Sequence, residues 1–149
     1  MRHTWLLIVA ACTSGDPAPS VEIVSASPQA LAPANDLQND LRMLVTYKDG
    51  DGDLGTGSAR IQDCRAEELV TELEIPAIAP ADKVGSSKIE GSIDLSLDDV
   101  GAVAVAALPA TCAELGVELA AGSTVFCVQL VDAAGHVGPG DCTAAIALQ

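Results

Sequence analysis

The sequence predicts an all-β fold, an antiparallel β-sandwich of about seven strands with one short helix and disulfide staples. Three observations carry that expectation. Apolar and polar residues alternate with a period of two in several segments, the signature of a half-buried strand. Clusters of Gly, Pro and Asp separate these segments at intervals that suit an antiparallel sandwich rather than alternating βαβ units. Setting Cys12 aside, the cysteines are Cys64, Cys112, Cys127 and Cys142, an even number that reads as two disulfides in an exported chain. With 149 residues there is room for one domain and a modest core.

Taken in order, Val21 to Ser25 forms the first strand. Leu41, Met43, Val45 and Tyr47 then alternate with Arg42, Leu44, Thr46 and Lys48. Ala59 to Asp63 follows, and Leu69, Thr71, Leu73 and Ile75 alternate with Val70, Glu72 and Glu74. The clearest alternation sets Ile89, Gly91, Ile93, Leu95 and Leu97 against Lys88, Glu90, Ser92, Asp94, Ser96 and Asp98. Val125 to Asp132 and Thr143 to Leu148 complete the set. The pattern is weakest between Leu97 and Gly122. There the Ala-rich run Val100 to Leu108 reads as a buried segment, about half the length needed to span a bilayer, and Pro109 to Ala121 as a short helix or a long crossing loop.

Four cysteines allow three pairings, and spacing alone does not choose among them. Cys127–Cys142 with Cys64–Cys112 is favoured, because the midpoint between Cys127 and Cys142 falls in Ala133-Ala134-Gly135-His136, and a hairpin turning there sets the two opposite each other. Each bridge is expected to add about 2–4 kcal/mol. A zinc site fails on spacing, since there is no C-x-x-C pair.

The N-terminus carries an address. Arg2 and His3 precede the apolar run Trp5-Leu6-Leu7-Ile8-Val9, then Ala10-Ala11, then Cys12. This order resembles the signal peptide and lipobox of a bacterial lipoprotein. The resemblance implies cleavage before Cys12, lipidation of Cys12, and residence in the cell envelope on the periplasmic or outer surface of a membrane. Two or three acyl chains on one cysteine would make the anchor effectively permanent. Residues 1–11 are then the leader and 12–20 the lipidated cysteine with a Ser, Gly, Asp and Pro tether. Residues 21–149 form the domain.

Charge and composition narrow the partners. The chain has 21 acidic and 7 basic residues, for a formal charge of −14, and removal of the leader takes away only Arg2. So anionic a surface repels phosphate backbones and headgroups, which excludes nucleic acid and peripheral lipid binding and favours cations. Trp5 leaves with the leader, so Tyr47 and Phe126 are the only Phe, Tyr or Trp side chains in the processed chain. Carbohydrate modules usually stack sugars on exposed aromatic faces, and their scarcity argues against that role.

Two motifs remain. In Tyr47-Lys48-Asp49-Gly50-Asp51-Gly52-Asp53-Leu54-Gly55, carboxylates at every second position are separated by glycines that let the backbone curl. Asp49, Asp51 and Asp53 are thus candidate ligands for one hard cation, Ca²⁺ by choice, against the alternative of a solvated turn. This is no EF-hand, because Leu54 stands at the sixth position and Arg60 at the twelfth. The second motif, Val128 to Gly138, runs from a strand into Asp132-Ala133-Ala134-Gly135-His136. Together the motifs resemble the immunoglobulin-like or fibronectin-III-like domains of bacterial surface lipoproteins, with His136 where Asn is usual and Gly138 where Ser is usual. The resemblance implies an immunoglobulin-like sandwich in which the two loops share one end, so that Asp132 joins Asp49, Asp51 and Asp53. Asp141 is a weaker candidate, and His136 reads as a surface turn residue.

The functional expectation is a membrane-anchored, non-catalytic binding or structural module, calcium-stabilised, with an unidentified protein partner. The alternative is an exported enzyme of unrecognised type. Its only sequence support is Asp53-Leu54-Gly55-Thr56-Gly57-Ser58, which is similar to an aspartic-protease loop but departs after the Asp and has no second copy.

Overall fold

The computed structural model describes residues 17–31, 40–76, 78, 88–98, 100 and 108–149. The expected leader, Cys12, residues 13–16 of the expected tether and most of the Val100 to Leu108 segment lie outside the described residues.

Among the described residues, ten strands and one helix follow one another: β1 Ser20–Ser27, β2 Ala30–Leu31, β3 Leu41–Asp49, β4 Ser58–Asp63, β5 Val70–Glu74, β6 Ile89–Leu97, α1 Ala110–Glu114, β7 Ser123–Thr124, β8 Phe126–Val131, β9 Asp141–Cys142 and β10 Ile146–Leu148. They form an all-β sandwich. One sheet has the order β1-β3-β6 and the opposing one β5-β4-β8-β9, while β2-β10-β7 makes a small third sheet. All pairings are antiparallel except β2 with β10, which is parallel.

The long strands sit where alternation put them. In β3, Leu41, Met43, Val45 and Tyr47 are all buried, and they face Leu97, Leu95, Ile93 and Gly91 across the β3–β6 ladder. The gap left by Gly91 in the apolar series is filled by its partner: a Cβ there would come within 2.8 Å of the Tyr47 hydroxyl. Ile61 from β4 and Phe126, Val128 and Leu130 from β8 close the core from the other sheet. Fully burying one such side chain contributes roughly 1.5–3 kcal/mol.

The sequence reading is corrected in three places. The three two-residue strands β2, β7 and β9 were not expected, because two residues cannot display a period. The strand expected over Thr143 to Leu148 is confined to β10, Ile146–Leu148, with β9 ending ahead of it at Cys142. Thr143 breaks it: its N–H bonds the Phe126 carbonyl, and its hydroxyl accepts the Phe126 N–H at 3.1 Å. Finally, β1 begins at Ser20 with Pro19 already buried, one residue ahead of Val21.

The favoured disulfides are both present, Cys64–Cys112 and Cys127–Cys142. Cys127 and Cys142 are register partners of β8 and β9, as the hairpin argument required. Cys64, just past β4, holds α1 through the inward-facing Cys112. Beside them lies a buried ion pair with no sequence signal. Arg65 is fully buried and Asp63 nearly so, with Arg65 Nε donating to Asp63 Oδ2 at 2.9 Å and Nη2 donating at 2.5 Å. Thr124 Oγ1 donates to Asp63 Oδ1 at 2.9 Å, and Arg65 Nη2 reaches the Val100 carbonyl at 2.7 Å. Every charge in this network is answered, which is the condition for tolerating it away from water.

Candidate metal centre

The β4–β8 ladder has two ends, and the acidic loop occupies the one opposite the cysteines. β3 terminates at Asp49, which is 2% exposed. Its Oδ2 accepts the Leu54 N–H at 2.8 Å, folding the loop back on itself. Leu54 is fully buried and plugs the loop into the core. Gly52 takes φ +82°, the left-handed conformation that a glycine supplies without steric cost. Gly57 then passes so close to β8 that a Cβ on it would collide with the Val131 carbonyl oxygen. That close approach carries the acidic loop against the residue after Val131, which is Asp132.

Asp132 is 3% exposed and organises the second loop. Its Oδ1 accepts the His136 N–H at 2.7 Å, its carbonyl accepts the Gly135 N–H at 3.1 Å, and its Oδ2 meets His136 Nδ1 at 2.7 Å. The two loops are joined directly where the Ala133 N–H donates to the Asp53 carbonyl at 3.3 Å.

One potential ligand atom from each of Asp49, Asp51 and Asp53 lies within 4.8 Å of the others, and the same holds for Asp51, Asp132 and His136. Asp51 therefore belongs to both groups. The four aspartates expected from the sequence thus meet through Asp51, and His136, expected as a surface turn residue, joins the group with Asp132. Its ring is partly exposed but committed to Asp132; the i,i+4 spacing of Asp132 and His136 across a Gly-containing turn was the available signal. Asp141 is not brought into this group by its contacts: its Oδ2 accepts the Ile23 N–H of β1 at 2.7 Å.

The electrostatics are those of a cation trap. Burial pushes the Asp49 carboxyl above its ordinary range; the adjacent Asp51 carboxyl adds to the rise, while the Leu54 N–H opposes it. Asp132 goes the other way, since burial would raise it but the His136 N–H and ring outweigh burial and hold it below the usual value. The same contact raises His136 above its ordinary value. Asp51 Oδ1 and Asp53 Oδ1 are buried, and neither has a hydrogen-bond partner. A buried polar atom without a partner costs about 1–3 kcal/mol, and an ion is one of its ordinary explanations.

The donor set fits a hard divalent cation. Carboxylate oxygens from two loops, with a backbone that holds them together, suit Ca²⁺ better than ions that prefer nitrogen or sulfur. Sulfurs of Cys64, Cys112 and Cys127 also converge, but their disulfide bonding leaves no thiolate for a metal. No family model, curated protein or solved structure matches the chain.

Proposed function

We propose that this chain is the anchored, non-catalytic module of a cell-envelope lipoprotein: an immunoglobulin-like sandwich tied to a membrane through lipidated Cys12 and stabilised at one end by calcium. The observation that carries the reading is the pair of buried, unpartnered oxygens, Asp51 Oδ1 and Asp53 Oδ1, set among carboxylates drawn from two loops. Without a cation, each like-charge pair costs on the order of 1–3 kcal/mol at near-surface dielectric, and a divalent ion reverses the sign. The strand order supports the immunoglobulin-like part of the proposal. β1-β3-β6 faces β5-β4-β8-β9, and β2 leaves the first sheet to lie parallel to the last strand, β10.

The tether supplies an orientation. Ser20 pairs with Lys48, and Pro19 lies against Gly138, so the chain enters the domain beside the acidic loops. On this reading the calcium end faces the membrane, and the bound ion lowers the repulsion between an acidic domain and anionic headgroups. The far end and the sheet faces are left to a protein partner.

Thermal melting in calcium and in chelator tests the cation. Melting is expected to rise with calcium in the native chain and to be indifferent to calcium in Asp51→Ala; identical native curves in both buffers overturn the reading. Membrane fractionation tests the anchor, because Cys12→Ala is expected to move the protein to the soluble fraction. A variant that stays equally membrane-bound removes the lipoprotein assignment.

A further inference from the structure

The four cysteine sulfurs make one cluster, packed under Leu115, Val117 and Leu119, rather than two separate staples. Cys64 Sγ lies 3.5 Å from Cys127 Sγ, so a sulfur of one bridge is in van der Waals contact with a sulfur of the other. Cys64, Cys112 and Cys127 are at most 1% exposed, whereas Cys142 is only partly buried. A reductant therefore meets the outer bridge, Cys127–Cys142, at Cys142.

We infer that the four cysteines form one exchange unit, in which opening of the outer bridge by a small dithiol is passed inward as a new Cys64–Cys127 bridge that frees Cys112. In the first step a thiolate of the dithiol attacks Cys142 Sγ, the Cys127–Cys142 bond breaks, and the electron pair leaves on Cys127 Sγ. The second thiol of the reagent resolves the mixed disulfide, leaving a Cys142 thiol and the oxidised dithiol. The Cys127 thiolate now lies against Cys64 Sγ. It attacks that sulfur, the Cys64–Cys127 bond forms, the Cys64–Cys112 bond breaks, and the pair leaves on Cys112 Sγ, which takes a proton from water. This second step uses no reductant.

The backbone favours the acceptor. Cys64 donates its N–H to Val125 at 2.9 Å, and Cys127 pairs with Gln62, so Cys64 and Cys127 are diagonal neighbours on adjacent strands. Closing the new bond brings the sulfurs together by about 1.5 Å, to the usual 2.05 Å. The old pairing held α1 to the end of β4. The new one joins two strands already paired and lets α1, with Cys112, come away, so the device couples thiol redox state to release of the helical segment.

Limited reduction with dithiothreitol, trapping with N-ethylmaleimide and peptide mass spectrometry read the outcome. The expected single-bridge species carries Cys64–Cys127 with label on Cys112 and Cys142. A single-bridge population consisting wholly of Cys64–Cys112 with label on Cys127 and Cys142, or one that loses Cys64–Cys112 first with label on both of its own cysteines, overturns the inference. Cys142→Ala provides the Cys127 thiol with no reductant present: both Cys64–Cys112 and Cys64–Cys127 isomers are expected. A variant population bridged wholly as Cys64–Cys112 is equally fatal.

Discussion

The two ends of the β4–β8 ladder handle buried charge in opposite ways. At the end that holds Asp63, both carboxylate oxygens are met by Arg65 and Thr124, and two disulfides lock the surrounding chain. At the other end Asp49 and Asp132 are equally buried, yet the carboxylates beside them repel one another and two oxygens have no partner. The first end carries its own compensation. On the proposed reading the second leaves it to a bound cation, which makes that end conditional on the medium. Burial of an acid is therefore not itself informative; what surrounds it decides between scaffold and site.

The sharpest way to break this contrast is Arg65→Ala. It removes the cation and leaves Asp63 buried without its partner, which should cost about 3–5 kcal/mol. Urea denaturation measures the loss, and a cost below about 1 kcal/mol would mean that the network is not the closed unit described. Next in size is the Cys64→Ala/Cys112→Ala double variant, expected to lose about 2–4 kcal/mol because the unfolded chain regains the freedom of a long loop. The acidic end should be indifferent to that change: the melting shift produced by calcium should be the same with and without the bridge, since distant sites add. A calcium response that vanishes with the disulfide would merge the two ends into one system.

Legibility in the sequence divides along the same line. Long strands declared themselves because Leu41, Met43, Val45 and Tyr47 alternate over a whole element, and the Cys127–Cys142 pair did so through the symmetry of its turn. β2, β7 and β9 did not, because a two-residue strand is set by its neighbours and not by its own pattern. At the acidic end Asp49, Asp51 and Asp53 stood out by spacing, and Asp132 only through the resemblance that sets its loop at the same end. His136 was missed because its partner's burial comes only from the closing of two loops. Arg65 left no trace at all, since nothing local distinguishes a fully buried arginine from an exposed one.

Calcium itself gives the next smaller effect and sharpens the contrast from the acidic side. At a hundred times its dissociation constant, the ion should add about 2.7 kcal/mol, which corresponds to a melting shift of several degrees at this size. Asp51→Asn separates site from scaffold better than a large truncation. In chelator it should raise the melting temperature, because it removes one of the repelling charges, and in calcium it should lose the shift. A variant less stable than the native protein in chelator would show that Asp51 is held by contacts rather than strained by its neighbours.

The smallest effect is the pH dependence in chelator, and its sign follows from the three shifted groups. Asp49 is raised, so the folded state favours its protonated form; that contribution is full below the ordinary carboxylate value and fades as pH rises through the raised one. His136 is also raised, so its pairing with Asp132 contributes below the ordinary imidazole value and is lost as pH rises through the higher one. Asp132 is lowered, and its contribution is complete above its ordinary value, disappearing only as pH falls through the depressed one. Above the ordinary carboxylate value the Asp49 loss acts first, the His136 loss follows above the ordinary imidazole value, and the Asp132 contribution stays constant throughout. Melting temperature in chelator should therefore fall with rising pH, and the fall should be shallower in Asp49→Asn and in His136→Gln. Calcium should flatten the same slope in the native protein, because the ion replaces the proton as the charge that the Asp49 environment requires. A chelator profile that climbs with pH above the ordinary carboxylate value, or one that Asp49→Asn leaves untouched, would show that the buried carboxylate is compensated after all and that both ends of the ladder are closed in the same way.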